Sequence, residues 1–210
     1  MALLLAFRSG RKDPSLRANN LRTTFCAWAT AIGTSEALTH TFKVYVQRRR
    51  PNFIALCGFK DGTCTADRYL VTDANLSFPS GHSSLAACGM TFLTLTVASQ
   101  LLLLASTTAP RLRVRWLVAA TALSAFVFTI FVGTSRIVDH WHHPSDVLAG
   151  WLLGSAVSAG SFHVWYPPLW HAHVGRPWSV VLGETRATIS SSSSSTLPRT
   201  TNPKLPSFHE

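Results

Sequence analysis

Three short stretches of this 210-residue chain hold side chains whose types and spacing can do chemistry. The densest is SRIVDHWHHPSD, residues 135–146, where three histidines and two aspartates stand between Asp139 and Asp146. Pro144 suits the first turn of a helix and puts Asp146 in that same turn. His142 stands just ahead of it, within reach of the carboxylate. A carboxylate on one imidazole N–H fixes the tautomer and makes the other ring nitrogen more basic and nucleophilic. Arg136 adds a forked cation able to grip an oxyanion bidentately. A second stretch, FPSGHSS at 78–84, leads into an uncharged run. A helix entered there leaves backbone N–H groups free at its positive end, which makes an anion site. His82 in that place can hand a proton to a leaving oxygen. Plain N-capping by Ser80, Ser83 or Ser84 accounts for the serines equally well, though not for Gly81-His82. The third stretch is KVYVQRRRPN at 43–52, with Lys43 and Arg50 bracketing a segment that Pro51 must end. Taken alone it also fits an interfacial anchor.

Histidine clusters bind metals too. His140 and His142, however, are two residues apart and not on one helical face, no cysteine is near, and the surrounding arginines repel a cation. No metal site and no cofactor are expected.

The elements that carry these stretches follow from composition. Hydrophobic residues make up 47% of the chain and charged ones only 13%, about half the usual share of a soluble domain. Residues 85–106, 116–135 and 147–170 contain no Asp, Glu, Lys or Arg. Each run reaches the roughly 20 apolar residues that a bilayer core requires of a helix. Residues 23–42 make a fourth, weaker span, because they include Glu36 and His40, costly in lipid unless they face a bundle interior. The expected fold is therefore all-α, a transmembrane bundle of about four spanning helices. Counting crossings puts 43–84 and 136–146 on one side of the membrane and 107–115 on the other, so the active residues share two loops on one face. The net charge of +10 comes in clusters between apolar runs, which suits anionic headgroups and phosphates and not a nucleic-acid stripe.

Orientation is less direct. Arg8, Arg11, Lys12, Arg17 and Arg22, with Arg111, Arg113 and Arg115, argue for a cytosolic position of the N-terminal segment and the 107–115 loop. The opposite loops are also basic; assigning those charges to chemistry makes that face extracytoplasmic. An oxidising compartment there can pair Cys57 with Cys64, or leave them as free thiols, whereas Cys26 and Cys88 fall in apolar helices as core residues. Asn75 opens an Asn-Leu-Ser acceptor sequence too close to the next motif to suggest use. The serine run 190–195 and the Pro/Thr-rich remainder cannot bury enough surface to fold. The chain divides into a basic segment at 1–22, a membrane domain at 23–170 and a polar, largely disordered tail at 171–210.

Taken together, Lys43-x6-Arg50-Pro51, then Pro79-Ser80-Gly81-His82, then Ser135-Arg136-x5-His142-x3-Asp146 resemble the tripartite signature of the lipid phosphate phosphatases. These are also called type 2 phosphatidic acid phosphatases and are related to vanadium haloperoxidases. RPNFIALC and FPSGHSS look closest to the eukaryotic branch. The resemblance implies that His142 is the nucleophile, through a phosphohistidine, with Asp146 orienting it and His82 protonating the departing alkoxide. It implies that Lys43, Arg50, Ser80, Gly81 and Arg136 hold the phosphate oxygens without metal. His140, His143, Arg48 and Arg49 fall outside the signature. Lipid phosphatases of this family usually have six spanning helices, so the first two are expected to be missing here, with MALLLAF as the end of the second. The implied activity is that of a phosphatidate phosphatase-like phosphoric monoester hydrolase, multi-pass in an endomembrane or the plasma membrane, with its active site extracytoplasmic. Its partners would be a lipid phosphate and the bilayer, not nucleic acid, and its oligomeric state is left open. A non-catalytic lipid-phosphate binding or scaffold protein, or an isoprenoid diphosphatase or phosphotransferase, would use the same pocket.

Overall fold

The computed structural model describes residues 14–105 and 111–195. The chain is all-α there: α1 (Pro14–Val46), α2 (Phe53–Cys57), α3 (Arg68–Asp73), α4 (Gly81–Ala105), α5 (Arg111–Val138), α6 (Pro144–Trp165) and α7 (Trp178–Ser195). The exception is a hairpin of β1 (Phe59–Lys60) and β2 (Thr63–Cys64), antiparallel with Phe59 opposite Cys64. Its turn residues Asp61 and Gly62 both have positive φ, as a two-residue hairpin turn requires. The hairpin is stapled by a Cys57–Cys64 disulfide, which answers the question of pairing. Cys88 is buried as a core residue, while Cys26 is only partly buried.

Three helices, α4, α6 and residues Leu112–Val138 of α5, are long and apolar enough to cross a bilayer, as expected of a membrane protein. The fourth expected span lies inside α1, which has the length but not the apolarity. Its Glu36 and His40 face each other one turn apart at 3.7 Å.

Close packing rests on small residues at i, i+4 intervals. On α6, Asp146, Gly150, Gly154, Ser158 and Phe162 form one buried stripe. A Cβ at Gly150 would fall 2.6 Å from the Ser80 carbonyl oxygen, and one at Gly154 would fall 2.9 Å from the Cys88 amide nitrogen. Backbones of α4 and α6 therefore touch through glycine, the usual device for helix contact in lipid. On α1 the matching stripe is Thr23, Ala27, Ala31, Ser35 and Thr39, all buried, and Lys43 is the next residue in that register. Ser35 and Thr39 reach Ser84 of α4 at 2.9 and 3.0 Å. Away from the loops, Phe92, Phe162 and Tyr166 close the core, with Tyr166 bonded to Thr24 at 2.6 Å. Each stripe thus ends on a residue singled out from the sequence, Asp146 on α6 and Lys43 on α1.

The 171–210 segment is more regular at its start than its composition suggests, because α7 runs through the serines to Ser195. The apolar start of α7 explains this: Val181 is buried and the Trp178 indole donates to the His163 carbonyl at 3.3 Å. Residues 14–22 form the beginning of α1, whereas 1–13 and 196–210 lie outside the described residues.

Candidate active site

The predicted site residues gather at one end of the bundle, where α1 and α5 end and α4 and α6 begin. Backbone hydrogen bonds tie the four chain segments there. Arg50 N–H donates to the Ala74 carbonyl at 2.8 Å, and Ser77 N–H to the Arg48 carbonyl at 3.0 Å. Asn52 N–H reaches the His140 carbonyl at 3.2 Å, and Ser80 N–H the Asp146 carbonyl at 3.0 Å. Trp141 and His142 fold back onto the Arg136 carbonyl at the end of α5.

His142 is 3% exposed and Asp146 fully buried. The sequence suggests that Asp146 accepts the hydrogen bond from the imidazole N–H, but the geometry divides that task. His142 Nδ1 lies 2.7 Å from the Ser77 carbonyl oxygen and 3.8 Å from Asp146 Oδ2. A carbonyl only accepts, so Nδ1 carries a hydrogen, and in the neutral ring the lone pair is on Nε2. Asp146 acts one step further out. Its Oδ2 accepts from the Ser77 hydroxyl at 2.6 Å and the His143 N–H at 3.0 Å, and its Oδ1 from Arg48 at 2.6 Å. One buried carboxylate thereby fixes the start of α6, the 77–80 turn and the segment after α1. Its negative charge still stands beside the imidazole, able to stabilise a cationic ring.

The cations converge on the entrance of α4. A Cβ at Gly81 would stand 3.9 Å from Lys43 Nζ, which puts the ammonium against the first turn of that helix. Burial, and after it the Arg50 charge, hold the Lys43 ammonium below its ordinary value of 10.5. His82 is exposed in the same turn, within Coulombic reach of Arg136, His142, Lys43 and Arg50. The N–H groups of this first turn have no intrahelical acceptor, so Gly81 and His82 present donors to an anion. Ser80 is buried with its Oγ accepting from Ser83, at 3.0 Å from the hydroxyl, so its side chain caps the turn. Arg50 packs over Trp141, 4.9 Å from the ring centre, and bonds Asp73 at 2.8 Å. Arg136 pairs with Asp139 at 3.1 Å.

His140 and His143 serve the scaffold: His140 takes a positive φ, and His143 Nε2 lies 3.2 Å from the Arg49 carbonyl. Among the described residues no three His, Cys, Asp or Glu side chains cluster to hold a metal ion. Arg48 and Ser77 are the residues that sequence reasoning missed. Arg48 is one of three consecutive arginines that differ only in where a non-helical segment points them. Ser77 acts partly through a carbonyl, which every residue has.

The profile of the PAP2 superfamily matches residues 24–170, a stretch that contains every one of these groups. The chain belongs to the PAP2 superfamily. Lipid phosphate phosphatase 1 of Arabidopsis thaliana is 34% identical over 152 residues, 68% of this chain and 44% of that protein. Phospholipid phosphatase 2 of Homo sapiens is 36% identical over 140 residues, 60% of this chain and 45% of the relative. Phospholipid phosphatase 1 of Mus musculus is 29% identical over 147 residues. This PAP2 chain spans less than half the length of these relatives. No solved structure matches it.

Proposed function

We propose that the chain hydrolyses lipid phosphomonoesters of the phosphatidate type through a phosphohistidine on His142. The observation that carries this is the Ser77 carbonyl on Nδ1, which in the neutral imidazole puts the lone pair on Nε2, beside a cationic helix entrance. The phosphate would sit on the first-turn N–H groups of α4, with Lys43, Arg50 and Arg136 around its oxygens. Phosphoryl transfer asks mainly for positioning and charge neutralisation, and these groups supply both without a metal. As the bond from Nε2 to phosphorus forms, the ester P–O bond breaks and the lipid alkoxide takes a proton from His82. His82, now neutral, removes a proton from water as that water attacks phosphorus. The N–P bond then breaks, and inorganic phosphate leaves with His142 restored. Asp146 offsets the positive imidazole of the intermediate.

The names of the relatives support a phosphatase acting on lipids. A site at one end of three apolar helices suits a substrate whose chains stay in the leaflet while its phosphate reaches the loops. The extracytoplasmic side, which an oxidised Cys57–Cys64 pair favours, completes this reading. The test is phosphate release from phosphatidate in micelles with excess EDTA. Release should survive the chelator and vanish in His142→Ala; release that EDTA abolishes would sink the mechanism.

A further inference from the structure

Arg50, one of the cations around the phosphate site, is held from behind. Its side chain is only 7% exposed, and two of its three nitrogens are committed. Nε donates to the Asp73 carbonyl at 2.9 Å, and Nη2 to Asp73 Oδ1 at 2.8 Å. Trp141 covers one face of the guanidinium, with 4.9 Å between Cζ and the ring centre. A guanidinium is flat and rigid, so fixing one edge and one face also fixes the direction of the remaining nitrogen, Nη1. Among the described residues Nη1 makes no hydrogen bond of its own. The charge of Arg50 is felt at both Lys43 and His82, so the fork lies against the entrance of α4.

Asp73 reaches Arg50 across 23 residues because the loop between them folds back on itself. The Cys57 carbonyl accepts from the Thr65 and Ala66 N–H groups at 3.1 and 3.0 Å, beside the Cys57–Cys64 disulfide. Helix α3 then ends on Asp73, and Arg50 N–H closes the loop on the Ala74 carbonyl at 2.8 Å. The Asp73 carbonyl also accepts from the Leu76 N–H at 3.0 Å, in the turn that leads to Ser77. Among the described residues the Asp73 carboxylate bonds only Arg50. A carboxylate that merely neutralised a buried cation would need only its charge. One that shares the Nε–Nη2 edge with its own main-chain carbonyl also needs a particular reach, since both oxygens come from one residue.

We propose that Asp73 is a positioning residue for the phosphate: its carbonyl and carboxylate clamp the Nε–Nη2 edge of Arg50 and aim Nη1 at a phosphate oxygen. Asp73 itself does not touch the substrate, and it lies outside the three motifs read from the sequence. The proposal rests on the phosphatase reading for the identity of the anion.

The test separates reach from charge with two variants of the full chain in detergent micelles. Asp73→Asn keeps an oxygen at the Oδ1 position and gives up the charge. Asp73→Glu keeps the charge and carries it about 1.5 Å further, one C–C bond. The readout is the Ki of inorganic phosphate as a competitive inhibitor of phosphatidate hydrolysis, which a role in stability alone would not move in folded protein. Ki in Asp73→Asn should stay within about threefold of wild type. In Asp73→Glu it should rise about tenfold or more, the worth of one charge-assisted hydrogen bond. Equal Ki values in the two variants, or weaker binding by Asp73→Asn, would overturn the proposal, because reach would then not be the property that counts. If one variant does not fold, the other is compared with wild type against the same limits. Absence of hydrolysis by the wild type would count against the phosphatase reading. A calorimetric Kd for inorganic phosphate then replaces Ki with the same order expected, and a wild type that binds no phosphate would refute the positioning role as well.

Discussion

Gly154→Ala tests the coupling between helix packing and the site. The added Cβ would fall 2.9 Å from the Cys88 amide nitrogen and closer still to the Ser84 carbonyl oxygen. Both obstacles are backbone, so no side chain can swing aside, and α4 and α6 must separate by roughly 1 Å to restore ordinary contact. Overpacking of this kind costs about 1–3 kcal/mol, and the rigid partners put this site at the upper end. The separation also pulls at the 3.0 Å bond from Ser80 N–H to the Asp146 carbonyl, eight residues up the same stripe. A misplacement of about 1 Å can cost about a hundredfold in rate. Gly160→Ala is the matched control, since nothing lies within 4 Å of its Cβ position. Alanine there should be neutral or stabilising by up to about 1 kcal/mol. Thermal unfolding in detergent and phosphate release from phosphatidate, measured on both variants, decide the matter. Equal behaviour of the two would refute the claim that the glycine stripe positions Asp146.

Ser77→Ala removes the hydroxyl from Asp146 but leaves the carbonyl on His142, so kcat should fall about tenfold to a hundredfold, one hydrogen bond to a charged group, with KM little changed. Loss as complete as in His142→Ala would contradict the division of labour between carbonyl and carboxylate. Arg48→Ala should cost at least tenfold, because it strips a buried carboxylate of its partner, whereas Arg49→Ala, which removes only a guanidinium stacked on the face of Phe53, should stay within about threefold. Steady-state assays of the pair give the comparison. Since Lys43 in the folded protein loses its proton below 10.5, the grip on phosphate should weaken on an alkaline limb of kcat/KM that begins below that value. Lys43→Arg, protonated throughout, should move the limb upward; an identical pH profile would remove Lys43 from the phosphate site.

Much of the architecture was legible because the membrane writes it in composition: uncharged runs long enough to span became α4, α5 and α6. Pro144, Pro51 and the Pro-Ser-Gly turn marked helix ends, and helix ends are where the chemistry collects. Physical limits explain what was not legible. Nothing in Arg48-Arg49-Arg50 tells which guanidinium points at Asp146, since Gln47 turns the chain out of the helix with a positive φ. The carbonyl of Ser77 carries no mark in the alphabet of side chains. The helix Trp178–Ser195 was hidden by its serines, because a tertiary contact from Trp178 outweighs weak local propensity. Pairing of Cys57 with Cys64 needed the hairpin, whose Asp-Gly turn brings their Cα atoms to 5.0 Å.

The central claim is that phosphorus passes through Nε2 of His142. The direct measurement is to mix the protein with phosphatidate carrying radioactive phosphate, quench in alkali, and map the label to a peptide. The account predicts an alkali-stable, acid-labile phosphoryl group on the peptide containing His142, absent from His142→Ala. Steady phosphate release with no labelled peptide, or with the label on another residue, would contradict it.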